Sequence, residues 1–375
     1  MKQSIYVAKL PFYTQRMTAE NWQAEGFPSL AEAESWCSRG CGIASLRMVL
    51  DGFGCGCGRQ WDMIAQGLAK GAYRAGVGWI HWGLAHMAEA YGIFGEAKRG
   101  KTVSDLQRDL ENGFVCIVSI TPNFRFGQKK ADGSVYGKGG HLVPVYGYMM
   151  QDGAITDFLL HHPSMYQEGN RVDWAVPIQT FSDSFSGNYI RLRKAGTIRQ
   201  ATAADALTIS RIYAQSWKSA FRGQVPDTYL DRLPENHWVP FFEKHLSHGS
   251  LFAKLIYDNQ NQTAIGAVAY GAARQELPAG GQIVGKSLDY SAFGEIASLY
   301  LLPQYYAKGY GRELLEAVQQ ECMQTYAGLY LWVLRENERA KAFYQKLGFC
   351  PTEEACLCEI DGKQLTDIRY VYHIS

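Results

Sequence analysis

The character of the sequence changes near residue 195, and this change constrains the fold more than any other feature. Before it, the chain is rich in Gly, Trp and His and closes with the alternating segment NYIRLRK, which is typical of a strand. After it, a new strand begins at Ile198, and Thr202 with Asp205 three residues later indicates a helix start. At 375 residues the chain also exceeds the size that a single hydrophobic core usually fills. The sequence therefore predicts two domains, 1–194 and 195–375.

The balance of charges and the apolar runs exclude two classes of partner. The 37 Lys and Arg residues are offset by 36 Asp and Glu residues, so a net charge of +1 provides no field to steer nucleic acid or an anionic membrane. No window reaches the roughly 18 apolar residues of a membrane span, and residues 1–15 lack the apolar core of a secretory signal. Nine cysteines are an odd number and too sparse for a disulfide scaffold, which predicts reduced thiols in a cytoplasmic protein.

The most informative stretch of the second half is a glycine-bearing turn between a strand and a helix. Residues 295–302 alternate as a strand, and Pro303 ends it because proline cannot donate to the ladder. A helix follows from Gly311, and the turn between them is YAKGYG, residues 306–311. Such a turn presents backbone N–H groups and the positive end of the helix dipole, which together suit a pyrophosphate.

Two blocks in this half resemble the GCN5-related N-acetyltransferase (GNAT) family. The first is the strand-Pro-x-x-(Q/R)-x-x-G-x-G block, here LYLLPQYYAKGYG, and the second is the N-x-x-A-x-x-(F/Y)-Y-x-x-x-G-F block, here NERAKAFYQKLGF. The resemblance implies a GNAT fold, with a mixed, mainly antiparallel splayed sheet flanked by helices, and acyl transfer from acetyl-CoA (or another acyl-CoA) to an amine. The sequence departs from the family at Tyr306, where Gln or Arg is usual, and at Ala307, which replaces a glycine.

The resemblance also implies roles for individual residues. The acyl-CoA pyrophosphate would be held by the backbone amides of Lys308, Gly309, Tyr310, Gly311 and Arg312. The pantetheine arm would be held by the splayed strand near Leu299 and Leu301. Asn337 would contact the cofactor, and the Tyr344 hydroxyl would protonate the departing thiolate. Glu295 would deprotonate the amine, directly or through water, because only a neutral amine attacks a thioester. By the residues alone, Tyr344 could instead be a core aromatic and Glu295 a solvated carboxylate.

The first half contains a candidate nucleophile and a candidate base. Cys41 heads an apolar helix in SRGCGIASLRMVLDG, where the helix dipole and unpaired N–H groups would lower the pKa of its thiol. His141 begins a strand behind two glycines in GKGGHLVPVYGY. A thiol at a helix start and an imidazole at a strand start, far apart in sequence, fit the chemistry of papain-like enzymes. Taken singly, Cys41 could be a small buried side chain and His141 a core histidine.

These fragments resemble the papain-like C39-type peptidase family, in which Q…CG-x-x-S/A-x-x-M-x-L and GGH-x-x-x-V-x-G-Y recur. The resemblance implies a papain-like cysteine-peptidase fold, α/β (α+β) in class, with Cys41 as nucleophile and His141 as general base. Gln15 would donate to the oxyanion beside the Cys41 backbone N–H. The family usually has an aspartate before a proline to orient the histidine, but His162 occupies that position here. Asp157, on the same predicted strand, is an alternative orienting residue.

Three hypotheses follow for the first half. It hydrolyses a peptide or amide, or it is a non-catalytic module that binds peptides, or Cys41 passes an acyl group to an amine rather than to water. Cys37, Cys41, Cys55 and Cys57 could together bind zinc, but C-x-C around a glycine is poor spacing for a structural site, so no metal is expected. The leading hypothesis is a bifunctional enzyme that acts on a peptide or small-molecule amine.

Overall fold

A computed structural model describes residues 2–259, 262–274, 281–285 and 289–374. The chain divides into two units, Met1–Ala195 and Gly196–Ser375. Each unit combines helices with a sheet, and the predicted α/β (α+β) class is confirmed. No helix in the described ranges is both long and apolar enough to cross a membrane.

The first unit is built on an antiparallel sheet. Its strands are β1 (Gln3–Tyr6), β2 (Tyr73–Arg74), β3 (Gly78–Trp79), β4 (Ile93–Lys98), β5 (Val115–Ile120), β6 (His141–Gln151), β7 (Ala154–His162), β8 (Arg171–Pro177) and β9 (Phe185–Lys194). Its helices are α1 (Leu30–Trp36), α2 (Cys41–Gly52), α3 (Gln60–Ala69), α4 (His81–Glu89), α5 (Val103–Glu111) and α6 (Ile178–Ser184). The sheet order is β4-β9-β5-β6-β7-β8, β1 pairs with β6, and β2 and β3 form a separate pair. Strand β5, VCIVSI, is buried along its whole length because it lies inside the sheet with both faces covered.

Helix α2 is the centre of the first unit. Every residue from Gly42 to Leu50 is buried, which means that the helix is packed on all sides. Gly42 allows a close approach, because a Cβ there would lie 2.7 Å from the Trp79 ring. The Ser45 hydroxyl donates a hydrogen bond to the Leu142 carbonyl at 3.0 Å. The first turns of α2 and the first residues of β6 are therefore held together.

The second unit is built on a mixed sheet. Its strands are β10 (Thr197–Gln200), β11 (Phe252–Asp258), β12 (Thr263–Ala272), β13 (Gln282–Val284), β14 (Phe293–Leu301), β15 (Gly328–Leu334), β16 (Cys350–Ile360) and β17 (Lys363–His373). Its helices are α7 (Ala206–Ala220), α8 (Asp227–Arg232), α9 (Val239–Ser247), α10 (Tyr310–Cys322) and α11 (Glu338–Lys346). The sheet order is β10-β11-β12-β14-β15-β17-β16-β13, and β14 and β15 are its parallel pair among the described residues. The predicted mixed, mainly antiparallel sheet is confirmed.

The parallel strands β14 and β15 part in the middle of the sheet. They pair from Phe293 to Glu295 of β14, and beyond Glu295 the pairing with β15 stops while the pairing with β12 continues to Leu301. The register with β12 shifts at Ala297, where a bulge changes the direction of β14. The sheet is splayed from this point, so one side of β14 faces a gap rather than a neighbouring strand.

Candidate active sites

Backbone amides surround the Cys41 thiol. Cys41 is the first residue of α2, and the amides of Cys41, Gly42 and Leu142 each act to lower the pKa of its thiol. Since Leu142 directly follows His141, the fold brings the predicted nucleophile and the predicted base to the same place. Burial acts in the opposite direction with a larger effect, so the pKa of Cys41 is raised above its ordinary value. The prediction of a lowered pKa is wrong, because loss of solvent around the thiolate outweighs the helix start.

His141 is held in its neutral form. Its side chain is 8% exposed, and Nε2 is buried with no hydrogen-bond partner among the described residues. Burial, and secondarily the neighbouring His162, lower the pKa of His141 well below its ordinary value. The two rings lie 4.5 Å apart between centroids, and burial lowers the pKa of His162 to about 4. The resting pair near pH 7 is thus a thiol and a neutral imidazole, since no carboxylate among the described residues pairs with the imidazole.

His162 occupies the position where the family usually has an aspartate, and both nitrogens of its ring already have hydrogen-bond partners. Nε2 of His162 accepts a hydrogen bond from the Asn123 backbone N–H at 3.2 Å, and Nδ1 donates to the Gly169 carbonyl at 3.1 Å. The alternative residue, Asp157, lies five positions back along β7, about 16 Å from His162 at the rise of a strand. Its carboxylate is paired with Lys2 at 2.8 Å. Asp157 therefore does not orient His141.

Gln15 lies beside the start of α2. Its side chain is 4% exposed, and a Cβ on Gly40, the residue before Cys41, would be 3.1 Å from the Gln15 Cβ. Nε2 donates to the Cys37 carbonyl at 2.5 Å, and Oε1 is buried without a partner in the described residues. One N–H of the amide is used in this way and the other is available to an oxyanion. The role of Gln15 as an oxyanion donor stays a prediction.

We expect the substitution His162→Asp to make the Cys41 thiol react faster at neutral pH. A carboxylate beside the imidazolium would raise the pKa of His141 by about one unit or more, which favours the thiolate–imidazolium pair roughly tenfold. In the wild type, the iodoacetamide alkylation rate of Cys41 should keep rising from pH 7 to pH 9. In the variant it should be about tenfold higher at pH 6–7 and nearly flat above. Peptide mapping by mass spectrometry measures the rate, with the exposed His86→Asp as control; an unaltered profile would contradict the proposed electrostatics.

In the second unit, the turn before α10 has the shape of an anion site. Gly309 precedes the helix with φ 88° and ψ −10°, a left-handed conformation that suits glycine. Ala307 is also left-handed, with φ 59°, so the departure from the family glycine costs about 1 kcal/mol of backbone strain without changing the path of the chain. The first-turn amides of Tyr310, Gly311 and Arg312 point along the positive end of the helix dipole.

A cation that was not predicted accompanies this turn. The Arg339 guanidinium, from α11, stacks 3.9 Å above the Tyr306 ring. Tyr306 stands where the family usually has Gln or Arg, so the stacked Arg339 returns a positive charge to the same neighbourhood. The sequence signal was weak, because nothing in the spacing of Arg339 connects it with a turn some thirty residues earlier.

Glu295 is buried in an ion pair. Its side chain is 2% exposed, and both carboxylate oxygens accept hydrogen bonds from the Arg274 guanidinium at 2.8 and 2.5 Å. The Arg274 backbone N–H and the Tyr330 hydroxyl donate to it as well, at 3.1 and 3.2 Å. Glu295 is therefore not a solvated carboxylate, since both of its oxygens already accept hydrogen bonds within the chain. The role of Glu295 as the base stays a prediction.

Two further tyrosines interact electrostatically with Tyr344 near the gap in the sheet. Burial raises the pKa of Tyr344, and its hydroxyl interacts electrostatically with Tyr213 of α7 and Tyr300 of β14. The Tyr213 and Tyr300 rings lie 4.6 Å apart between centroids, and the Tyr213 hydroxyl is hydrogen-bonded to Ser298. This tyrosine cluster (Tyr213, Tyr300 and Tyr344) was not predicted from the sequence, since its members come from three distant segments.

The remaining predicted cofactor residues divide into two groups. Leu299 and Leu301 pack in the core beneath α10, on the part of β14 that has lost its β15 partner. Asn337 is the N-cap of α11, and its side chain accepts a hydrogen bond from the Ala340 backbone N–H at 3.0 Å. Its position therefore has a structural reason, and contact with a cofactor stays a prediction. Among the described residues, no group of three or more His, Cys, Asp or Glu side chains is placed to hold a metal.

Two family models match the chain, one in each half. The model described as the Peptidase_C39 like family matches residues 9–197, more than half of the chain. The chain belongs to the Peptidase_C39 like family. The model described as the acetyltransferase (GNAT) family matches residues 211–349. The chain is thus an enzyme with a GNAT acetyltransferase domain after a C39-like domain, and both predicted families are confirmed.

Individual proteins similar to the chain are N-acetyltransferases. The uncharacterized N-acetyltransferase YuaI of Bacillus subtilis is 25% identical over 150 residues, which are 40% of this chain and 77% of that protein. A similar solved structure is PaiA N-acetyltransferase from Thermoplasma acidophilum in complex with coenzyme A. Its sequence is 19% identical, the match covers 48% of this chain and 99% of that chain, and the TM-score is 0.35. Another is an N-acetyltransferase from Staphylococcus aureus Mu50, with 18% identity, 48% and 99% coverage and a TM-score of 0.37.

Proposed function

We propose that the second unit transfers an acyl group, most simply the acetyl group of acetyl-CoA, to the amine of a peptide or small molecule. The observation that carries this proposal is the left-handed Gly309 turn at the start of α10, next to the strand β14 that has lost its neighbour. The turn supplies amides for a pyrophosphate. The unpaired side of β14 supplies backbone groups for the amide-containing pantetheine arm, as a missing strand would.

The tyrosine cluster supports the chemical step. Burial keeps the Tyr344 hydroxyl protonated at neutral pH, so it can protonate the thiolate that leaves as CoA. Acyl transfer by direct attack then needs one more group, a base for the acceptor amine, and Glu295 is the candidate for that role.

Binding of CoA tests the proposal directly. We expect the substitution Gly309→Glu to weaken CoA binding about 30-fold, roughly 2 kcal/mol, because it adds backbone strain and places a negative charge beside the pyrophosphate. Isothermal titration calorimetry measures the Kd. The matched control is Gly362→Glu, since Gly362 also has a positive φ of 79° but lies in the exposed turn between β16 and β17. Absence of CoA binding by the wild type at millimolar concentration would refute the proposal.

For the first unit, we propose a cysteine peptidase or amidase. The supporting observation is that α2 and β6 place the Cys41 thiol against the amide that follows His141. His141 takes the thiol proton, Cys41 attacks an amide carbonyl, and water releases the acyl-enzyme. The neutral resting pair and the histidine at position 162 favour a second candidate, a module that binds peptides without cleaving them.

The two units together support a bifunctional enzyme for one class of ligand, peptides with a free amine. All nine cysteines are free thiols, which supports a cytoplasmic location. We expect neither nucleic acid nor a membrane as a partner, because the charges of the chain are balanced.

A further inference from the structure

The segment that carries Gln15, residues 14–17, is held by side-chain contacts rather than by regular secondary structure. Residues 8–18 belong to neither a helix nor a strand, so no ladder of backbone hydrogen bonds fixes them. On one side the segment is held by Cys37. The Cys37 carbonyl accepts a hydrogen bond from Gln15 Nε2 at 2.5 Å, and the Cys37 sulfur accepts one from the Met17 backbone N–H at 3.1 Å. The position of Gln15 therefore depends on a few contacts.

On the other side, one amide oxygen holds the same segment. The Thr14 hydroxyl donates to Oδ1 of Asn170 at 3.2 Å and shares this proton with the Ser164 carbonyl at 3.3 Å. The Ser164 backbone N–H donates to the same Oδ1 at 2.8 Å. The Thr14 hydroxyl oxygen also accepts from the Arg16 backbone N–H at 3.0 Å. Since Thr14 and Arg16 flank Gln15, these contacts hold the backbone on both sides of it.

Asn170 also ends the loop that begins at His162. The carbonyl of Gly169, the residue before Asn170, accepts a hydrogen bond from His162 Nδ1 at 3.1 Å. The His162 ring lies 4.5 Å from the His141 ring between centroids. Asn170 therefore connects the segment of residues 14–17 with the loop that supports the two histidines.

Both hydrogen bonds of Asn170 use the oxygen of its side-chain amide. The Ser164 backbone N–H can only donate, which assigns the oxygen rather than the nitrogen to this position. A carboxylate offers the same acceptor, so an aspartate can make both contacts, whereas an alanine can make neither. Asn170 is partly exposed, so a negative charge at this position stays in contact with solvent. The role of the oxygen can therefore be separated from that of the whole side chain.

We propose that Asn170 is a positioning residue of the cysteine site, which acts by holding Gln15 where its second amide N–H meets the oxygen of the attacked carbonyl. This proposal rests on the peptidase or amidase function proposed above. His141 takes the thiol proton, the Cys41 sulfur bonds to the carbonyl carbon, and the electron pair of the carbon–oxygen double bond moves onto the oxygen. The resulting oxyanion needs donors at a fixed place. The Cys41 backbone N–H is fixed by α2, and Asn170 fixes the donor of Gln15.

The test compares two reagents that both react with the Cys41 thiol. The peptide aldehyde acetyl-Leu-Leu-norleucinal adds the sulfur to its carbonyl carbon, and its oxygen then occupies the place of the oxyanion. Iodoacetamide reacts by displacement of iodide, so its reaction requires no donor to a carbonyl oxygen. A change that moves only the Gln15 amide should weaken binding of the aldehyde and leave the alkylation rate unaltered. Calorimetry measures the Kd of the aldehyde, and peptide mapping measures alkylation.

We expect Asn170→Ala to raise the Kd of the aldehyde about 30-fold, because a donor displaced by about 1 Å loses most of its hydrogen bond. In Asn170→Asp the Kd should stay within about threefold of the wild-type value, since both contacts are retained. The alkylation rate should change no more than about twofold in either variant. The matched control is Asn112→Ala, because the Asn112 side chain donates to the Arg108 carbonyl at the end of α5. Its aldehyde Kd should equal that of the wild type.

A double-mutant cycle distinguishes positioning from a general structural role. In a Gln15→Ala background, Asn170→Ala should weaken aldehyde binding no further, because the residue through which it acts is absent. Thr14→Val supports the test if Asn170→Ala folds poorly: it frees the segment but leaves Asn170 bonded to Ser164, and it should show the same selective loss. Equal losses in both backgrounds, or a loss in Asn170→Asp as large as in Asn170→Ala, would overturn the positioning role alone. A wild type that is alkylated at Cys41 but binds no aldehyde would overturn the peptidase function as well.

Discussion

Replacing Cys41 with alanine should abolish covalent labelling by a thiol-directed peptide probe and any hydrolysis of peptides by this chain. The reason is chemical: without the sulfur there is no nucleophile, and none of the neighbouring amides can replace it. We expect a peptidyl acyloxymethyl ketone to add one equivalent to the wild type and none at this position in Cys41→Ala. Intact mass followed by peptide mapping measures both. The loss should be complete, at least about 10³-fold.

The control for this experiment is Cys350→Ala. Cys350 is exposed at the start of β16, so any labelling of its thiol by the probe reflects its accessibility alone. Labelling at Cys41 should persist in that variant. If the wild type is not labelled at Cys41 but still binds peptides in calorimetry, the first unit is a binding module and the peptidase proposal fails. Adding amines to the reaction distinguishes hydrolysis from acyl transfer, since transfer would yield a new amide.

The substitution Tyr344→Phe should reduce kcat of the acetyltransferase about 10³-fold and leave CoA binding nearly unchanged. The hydroxyl group is the only part removed, and the pKa of this hydroxyl is raised by burial, so the wild type retains this acid across the neutral and mildly alkaline range. Without the hydroxyl, the thiolate leaves unprotonated. Steady-state release of CoA with excess acceptor measures kcat, and calorimetry measures the Kd.

The matched control is Tyr326→Phe. The pKa of Tyr326 is likewise raised by burial, but its ring packs against Gly294 at the closed end of the strand pair. We expect no more than about a twofold change there. Wild-type turnover in Tyr344→Phe would remove Tyr344 from the acid role.

Much of the architecture could be predicted because it depends on local signals. The turn at 306–311 was recognisable because a left-handed glycine before a helix is a local backbone requirement, and Gly309 shows it. The helix start at Cys41 and the strand start at His141 were recognisable for the same kind of reason. Thr202 and Asp205 form the capping box that their spacing predicts.

The predictions that went wrong concern burial and partners. The pKa of Cys41 is raised rather than lowered, because the packing around α2 removes more solvent than the helix start compensates. Glu295 is not a solvated carboxylate, because Arg274, which follows the end of β12, donates hydrogen bonds to it from the neighbouring strand. Asp157 is excluded because it lies five positions along β7 from His162, whose ring neighbours His141, and because Lys2 is paired with its carboxylate.

The sequence alone determined the two families, the order of the domains and the residues that can serve as nucleophile, base and anion cradle, because these depend on residue type and short spacing. Only the tertiary structure decided which of those residues are ionised, engaged or available. Charge states depend on solvent removal and on neighbours that come from distant parts of the chain.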